Sequence, residues 1–365
     1  MTWSEHRARF PVLERLAYLN AGTFGPLTWE TATAVAAVNA SEAADGRSGR
    51  QRMVASLERR ERLRGLVAAE IGVPAERVAL TTSTTQGVQV VVLGLALGPD
   101  DEVVTTDSEH FGLIGPLLGA RVRLRIAPVR GLVGEELFEA IRREVTPRTR
   151  LLALSAVSWL DGTLFPWREL REATGLPVLV DGAQSAGALE VDASQADWYT
   201  VSAQKWLCGP DGTGALSILD PDGLKPRLVG YASAASYDLT ARTWEPRQGA
   251  TALEPSVLPA ASSAGLEAAL TGLPDGRFER ARELAELFRR TLIEAGRDVV
   301  TPPGHSTLVS FRARRDQADV SAALFEQGVV VRDLPGTGLV RASVGWWNDE
   351  SDLDRLIEGL ASADP

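Results

Sequence analysis

Between about Arg77 and Leu219 the chain repeats one pattern: a short run rich in apolar and β-branched residues, a segment of helical period, then another such run. The runs are "RVALTT", "DEVVTT", "RVRLRIAPV", "RLLALSAVS", "PVLVDGA", "DWYTVSA" and "TGALSIL". Strands this apolar must be covered on both faces, and alternation with helices supplies both covers. The pattern predicts an α/β fold with a mostly parallel seven-stranded sheet. In such a fold ligands sit outside the carboxyl ends of the strands.

The flanks read differently. Upstream, "SLERRERLRGLVAAEIG" sets Leu57, Leu63, Leu66, Val67 and Ile71 near one face of a helix that needs a packing partner. Downstream, Pro221 to Pro259 has weak periodicity and reads as loops. Beyond Pro259 come two helices ("SSAGLEAALTGL", "RFERARELAELFRRTLIEAG"), a strand ("STLVSFRA"), a helix ("DVSAALFEQG"), two strands ("VVVRDL", "LVRASVG") and a last helix for which Asn348 is the expected N-cap. This is the grammar of a smaller α+β C-terminal domain. At 365 residues about two domains are expected. The expected division is a large domain over 20–258 and a small one built from 1–19 and 259–365.

Several function classes are disfavoured. A net charge of -10, with arginines interspersed among acids, leaves no basic surface for nucleic acid. The longest apolar run, "VQVVVLGLALG", is too short to span a membrane, and the first residues lack a signal-peptide core, so a cytoplasmic protein is expected. A single cysteine, Cys208, and three scattered histidines give no metal site.

Positive charge comes almost wholly from arginine; the two lysines are Lys205 and Lys225. Lys225 lies in the loop-like region and reads as surface. Lys205 directly follows a predicted strand, in "SAQKWLCGPDGTG", where partial burial would depress its pKa and free an amine nucleophile. Such an amine typically forms a Schiff base with a carbonyl, and the cofactor that offers one is pyridoxal phosphate.

That hypothesis makes three demands. A carboxylate for the pyridine nitrogen is available in Asp181, at the end of the apolar strand in "PVLVDGAQSAG". A phosphate cradle is available in "TTSTTQGVQVVVLGLAL", where Thr84 and Thr85 open an apolar helix. His110, in "TTDSEHFGLIGP", could lie against the ring and move protons. Each signal has a plainer reading, as a helix cap or a structural histidine.

Taken together, "STTQG", "SEH", "VDGAQSAG", "SAQKWLCGPDGTG" and "VRASVGWWNDESDLDRL" resemble the class V aminotransferase family of pyridoxal-phosphate enzymes, which includes cysteine desulfurases, selenocysteine lyases, kynureninases and isopenicillin N epimerase. The likeness runs from "YLNAGTFGP" to the last helix. It implies the type I fold of pyridoxal-phosphate-dependent transferases, an amino-acid substrate and a homodimer. It further implies that Lys205 carries the Schiff base and shuttles the Cα proton, that Asp181 pairs with the ring nitrogen, that Gln184 approaches the ring hydroxyl and that His110 stacks on the ring. Thr84, Thr85 and Ser202 would hold the phosphate, Arg341 would clamp the substrate carboxylate, and Asn20 would sit near the substrate.

Departures from the family pattern bear on the reaction. Desulfurases carry a nucleophilic cysteine shortly before the C-terminal arginine; "VVVRDLPGTGLVRAS" has none, which excludes a persulfide mechanism on that loop. Cys208 reads as a packing residue. Gln204 stands where histidine is common, and its amide can still donate to phosphate; Trp159 stands where asparagine is common, near the ring hydroxyl and substrate. In "QGAT", Ala250 occupies the place of a threonine that reaches the partner subunit's phosphate, with Thr251 as a substitute. These features favour C–S or related β-lyase chemistry on a cysteine-type amino acid, with epimerisation and transamination as alternatives. A cofactor-binding regulator would require a basic DNA-binding segment before the core, and there is none. A binding module without cofactor is the remaining alternative.

Overall fold

The computed structural model describes residues 1–365. The chain opens with helix α1 (Trp3–Arg7) and the two-residue strand β1 (Ala17–Tyr18), then helices α2 (Trp29–Asp45) and α3 (Arg50–Glu70). The alternating region follows as β2 (Val78–Thr81), α4 (Thr84–Gly94), β3 (Glu102–Thr106), α5 (Phe111–Gly119), β4 (Arg123–Ala127), α6 (Gly134–Arg142), β5 (Thr149–Ser155), α7 (Trp167–Thr174), β6 (Val178–Asp181), β7 (Trp198–Ser202) and β8 (Gly214–Ile218). All seven predicted strands form, and they make one sheet in the order β2-β8-β7-β6-β5-β3-β4. Only the pairings of β8 with β7 and with β2 are antiparallel. The other six strands therefore point their carboxyl ends to the same edge.

Side-chain alternation explains the layers. Leu152, Leu154, Val178 and Val180 face one way and pack with Leu63 and Val67 of α3, Leu137 and Ile141 of α6, and Leu170 of α7. Leu151, Ala153 and Leu179 face the other way and pack with Val88 and Val91 of α4 and Leu113 and Leu117 of α5. Full burial of each such side chain stabilises the fold by roughly 1.5–3 kcal/mol. Within α3, Leu63 and Val67 are buried but Leu57 is exposed, so the buried face begins further along the helix than its sequence suggests.

The region read as loops holds a hairpin, β9 (Ala234–Asp238) and β10 (Thr243–Pro246). Its residues are almost all exposed, so no burial alternation marks it in the sequence. Helix α8 (Ala260–Thr271) packs on α2 and α3, and α9 (Arg277–Glu294) follows. Next come β11 (Leu308–Arg312), α10 (Gln317–Glu326), β12 (Val329–Val330), β13 (Arg332–Leu334), β14 (Leu339–Ser343) and α11 (Glu350–Ala363). Strands β11-β14-β13 form an antiparallel sheet. The expected strand "VVVRDL" is split: Val329 and Val330 pair with β1, while Arg332 to Leu334 pair with β14.

A separate apolar cluster joins Ala17 and Leu19 to Phe288, Phe311, Val340 and Leu356. The cap of α11 is Asp349, whose side chain accepts from Ser351 N, and not Asn348. Asn348 is drawn away: its Oδ1 accepts from Gly345 N at 2.8 Å and its Nδ2 donates to Asp352 at 2.8 Å. No helix is long and apolar enough to cross a membrane.

Candidate active site

A cavity of about 160 Å³ opens where the carboxyl ends of β5, β6 and β7 meet the start of α4. Thr84 and Thr85, His110, Trp159, Asp181 and Gln184, and Ser202, Gln204 and Lys205 all line it. Arg341, on β14, reaches its wall by donating from Nη1 to the carbonyl oxygen of Trp159 at 2.6 Å. The residues picked from the sequence are thus brought together from three strand ends, two helix starts and the middle of β14.

Each is placed by local structure. Ser83 caps α4 by accepting from Gln86 N at 3.2 Å, and the next amides, of Thr84 and Thr85, have no intrahelical acceptor. They are oriented for an anion. Asp181, 4% exposed, uses Oδ1 to accept from Ala183 N (2.9 Å) and Thr200 Oγ1 (3.5 Å), while Oδ2 accepts no protein donor. Lys205 is half-buried and has no carboxylate partner; burial lowers its pKa from 10.5 to about 8, against the pull of Asp181 and with the push of Arg341.

His110 is the N-cap of α5, and its Nδ1 accepts from Gly112 N at 3.0 Å. The proton of the neutral ring therefore sits on Nε2. Desolvation and the nearby Lys205 lower its pKa and keep it neutral. The Trp159 ring stands edge-on to it, 5.2 Å between centroids at 84°, and the Trp159 Nε1 is buried with no partner. Ser202 Oγ donates to Gln204 Oε1 at 3.0 Å. Gln184 is tied at both ends, accepting from Trp206 Nε1 (2.9 Å) and donating to the Gly22 carbonyl (2.8 Å), so one amide hydrogen is left to approach a ligand.

The segment from Asn20 to Pro26 closes the site from above. Asn20 bridges Ser343, and the buried Asn20 Oδ1, Ser343 Oγ and Arg341 Nε all lack protein partners. Gly25 donates to the Gln204 carbonyl at 2.8 Å, and a Cβ there would collide with the carbonyl oxygen of Lys205. Glycine is required at this position because backbone passes directly over backbone.

Two residues escape the sequence reading. Arg332 lies directly opposite Arg341 in the β13/β14 ladder, so the two side chains share a face. Neither forms an ion pair with a carboxylate in the fold. Burial and Arg332 lower the Arg341 pKa to about 9, which leaves it cationic at neutral pH. Two arginines flanking the "LPGTGL" turn are the signal that could have revealed the pair. The other is Glu109, whose carboxyl accepts from Ser155 and Thr106 beside the cavity.

Lys225 is exposed, and Thr251 donates to the Gln248 carbonyl outside the cavity. Cys208 is 2% exposed, with φ of 53°, and burial raises its thiol pKa, so it stays protonated.

The donor set fits pyridoxal phosphate. A free helix start awaits a phosphate, an unpaired Asp181 oxygen awaits a ring N–H, a poised amine awaits a carbonyl, and orphaned polar atoms surround the space an amino acid would fill.

The chain belongs to the aminotransferase class-V family, which matches residues 31–356, and is a pyridoxal-phosphate-dependent enzyme. Among its relatives, isopenicillin N epimerase of Amycolatopsis lactamdurans is 31% identical over 399 residues, covering 98% of each chain. Cysteine desulfurase of Haloferax volcanii is 30% identical over 325 residues, covering 79% of this chain and 74% of the relative. Among solved structures, the cystine C–S lyase C-DES in complex with its product cysteine persulfide superposes with a TM-score of 0.91 at 26% identity, over 98% of this chain and 100% of the other. A mutant of C-DES with glycine covalently linked to the cofactor superposes at 0.90.

Proposed function

We propose that the protein is a C–S lyase that cleaves the bond between Cβ and sulfur in a cysteine-type amino acid carrying a second carboxylate. The observation that carries this reading is the nature of the bases in the cavity. Lys205 is an amine near neutrality, whereas the acceptor nitrogen of His110 is committed to Gly112. Elimination needs one base at Cα; epimerisation needs a second proton donor on the opposite face, and a neutral His110, although it carries a proton on Nε2, is too weak an acid to serve as one. The likeness to C-DES over nearly the full length of both chains supports the same reaction class.

Bound pyridoxal phosphate supplies an electron sink that stabilises negative charge at the amino acid's Cα. Lys205 Nζ takes the Cα proton, and the C–S electron pair departs with sulfur. Thr84, Thr85, Ser202 and Gln204 hold the phosphate, Asp181 the ring nitrogen, and Gln184 stands toward the ring hydroxyl. His110 covers the ring, with Trp159 and Asn20 beside the substrate.

Arg341 clamps the α-carboxylate. Two like charges directly opposite in a ladder repel, and a second anion between them removes the penalty. Arg332 thus selects a distal carboxylate, of the kind L-cystine carries.

The test is to give the holoenzyme L-cystine, L-cysteine and S-alkyl cysteines and to follow pyruvate and the configuration of recovered amino acid. The expected result is pyruvate release, fastest with L-cystine. In Arg332→Gln, KM for L-cystine should rise roughly 10–150-fold, the equivalent of about 1.5–3 kcal/mol for a charged hydrogen bond, with S-methylcysteine little affected. Inversion at Cα without pyruvate would instead make the enzyme an epimerase.

We read the working form as a cytoplasmic homodimer. Leu93, Phe111 and Leu118 expose an apolar surface on α4 and α5 beside the site, with Phe111 73% exposed. Light scattering should give twice the 39.1 kDa chain mass; a monomer that remains fully active would refute the dimer.

A further inference from the structure

Glu109 is the ionisable group at this site to which the proposed reaction gives no part. Its two carboxyl oxygens accept from Ser155 N at 3.2 and 3.1 Å, from Thr106 Oγ1 at 3.1 Å and from Ser155 Oγ. Thr106 ends β3 and Ser155 ends β5, its neighbour in the sheet. Ser155 is in turn the Cα partner of Asp181 on β6. The next residue in the chain is His110, the cap of α5. One carboxyl therefore ties together two strand ends and stands between His110 and the strand that ends in Asp181.

We propose that Glu109 is a positioning residue for the cofactor, holding His110 at its place over the ring through β3 and β5 and setting, by its charge, the field in which Asp181 meets the ring nitrogen. The inference depends on pyridoxal phosphate being bound, not on which bond the enzyme breaks.

Electrostatics give the geometry its consequence. No lysine or arginine pairs with Glu109, and the ionisable group facing it is Asp181; Ser155 and Thr106 face it as neutral donors. A carboxyl held away from water and near another acidic side chain ionises less readily than a free one. Burial first, then Asp181, raise the Glu109 pKa from 4.5 to about 7, against the lowering effect of Ser155 and Thr106. The sign follows directly. Below that pH Glu109 holds a proton; above it Glu109 adds a negative charge on the Asp181 side of the site.

The readout is the visible absorbance of the bound cofactor as a function of pH, recorded on the holoenzyme without substrate. Wild type should show a step near pH 7. Glu109→Gln keeps the shape without the charge, and the step should vanish. Ser155→Ala removes one donor to the ionised carboxylate, so the step should move to higher pH by about half a unit or more. A clamp that were merely structural would move neither. The proposal is overturned if Glu109→Gln retains the step, or if the wild-type spectrum is flat through this range. Should Glu109→Gln fail to fold, Ser155→Ala decides: an unmoved step overturns it.

Discussion

Lys205→Ala gives a folded protein that has lost at least roughly a hundredfold in kcat, since a positioned base by itself contributes roughly 10²–10⁴-fold. Lys205 is the one amine lining the cavity, so no neighbour can take the Cα proton in its place. Arginine is no substitute, because its guanidinium stays protonated. Stability moves the other way. The Lys205 pKa falls from 10.5 to about 8 on folding, so in the apoprotein a charged ammonium opposes folding at every pH below about 8. Apo Lys205→Ala should therefore melt above apo wild type at pH 7, with the gap closing between about 8 and 10.5. Near-normal turnover in the variant would sink the proposed chemistry, whatever the melting curves show.

Asp181→Ala is the second large effect. It removes the oxygen left for the ring nitrogen, and also the acceptor for Ala183 N and Thr200 Oγ1. A charge-assisted hydrogen bond is worth about 1.5–3 kcal/mol, so the affinity for pyridoxal phosphate should fall roughly 10–150-fold. The rate should fall further even at saturating cofactor, because a neutral ring nitrogen withdraws electrons poorly. Asp181→Asn separates the two losses: it keeps an acceptor for Ala183 but carries no charge. Equilibrium dialysis gives the affinity and saturating-cofactor kinetics the rate. An unchanged affinity in Asp181→Ala would remove Asp181 from the cofactor site.

What could be read from the sequence follows from how far each signal reaches. Asp181, Lys205 and Thr84 each sit at the end of an apolar strand or the start of an apolar helix, where a few neighbouring residues fix the placement. Arg332 gains meaning only from its register with Arg341 across a turn, and a strand pairing is not written in either strand alone. Glu109 looks like any surface acid until Thr106 and Ser155, far apart in sequence, close on it. Helix α2 was missed because its many alanines make no sharp apolar stripe, and the β9/β10 hairpin because it is exposed. Asn348, expected as the cap of α11, is drawn off by Gly345 and Asp352, bonds that no local pattern shows, and Asp349 caps the helix in its place.

The segment from Asn20 to Pro26 touches parts of the site made at very different times. A ribosome produces Gly22 and Gly25 early, the Lys205 backbone beneath Gly25 midway, and Arg341 and Ser343 near the end. Contacts so distant in sequence close late and slowly. The roof over the amino-acid end cannot close before β14 is in place. The amino-acid end of the site is thus complete only once three widely separated stretches of the chain have met.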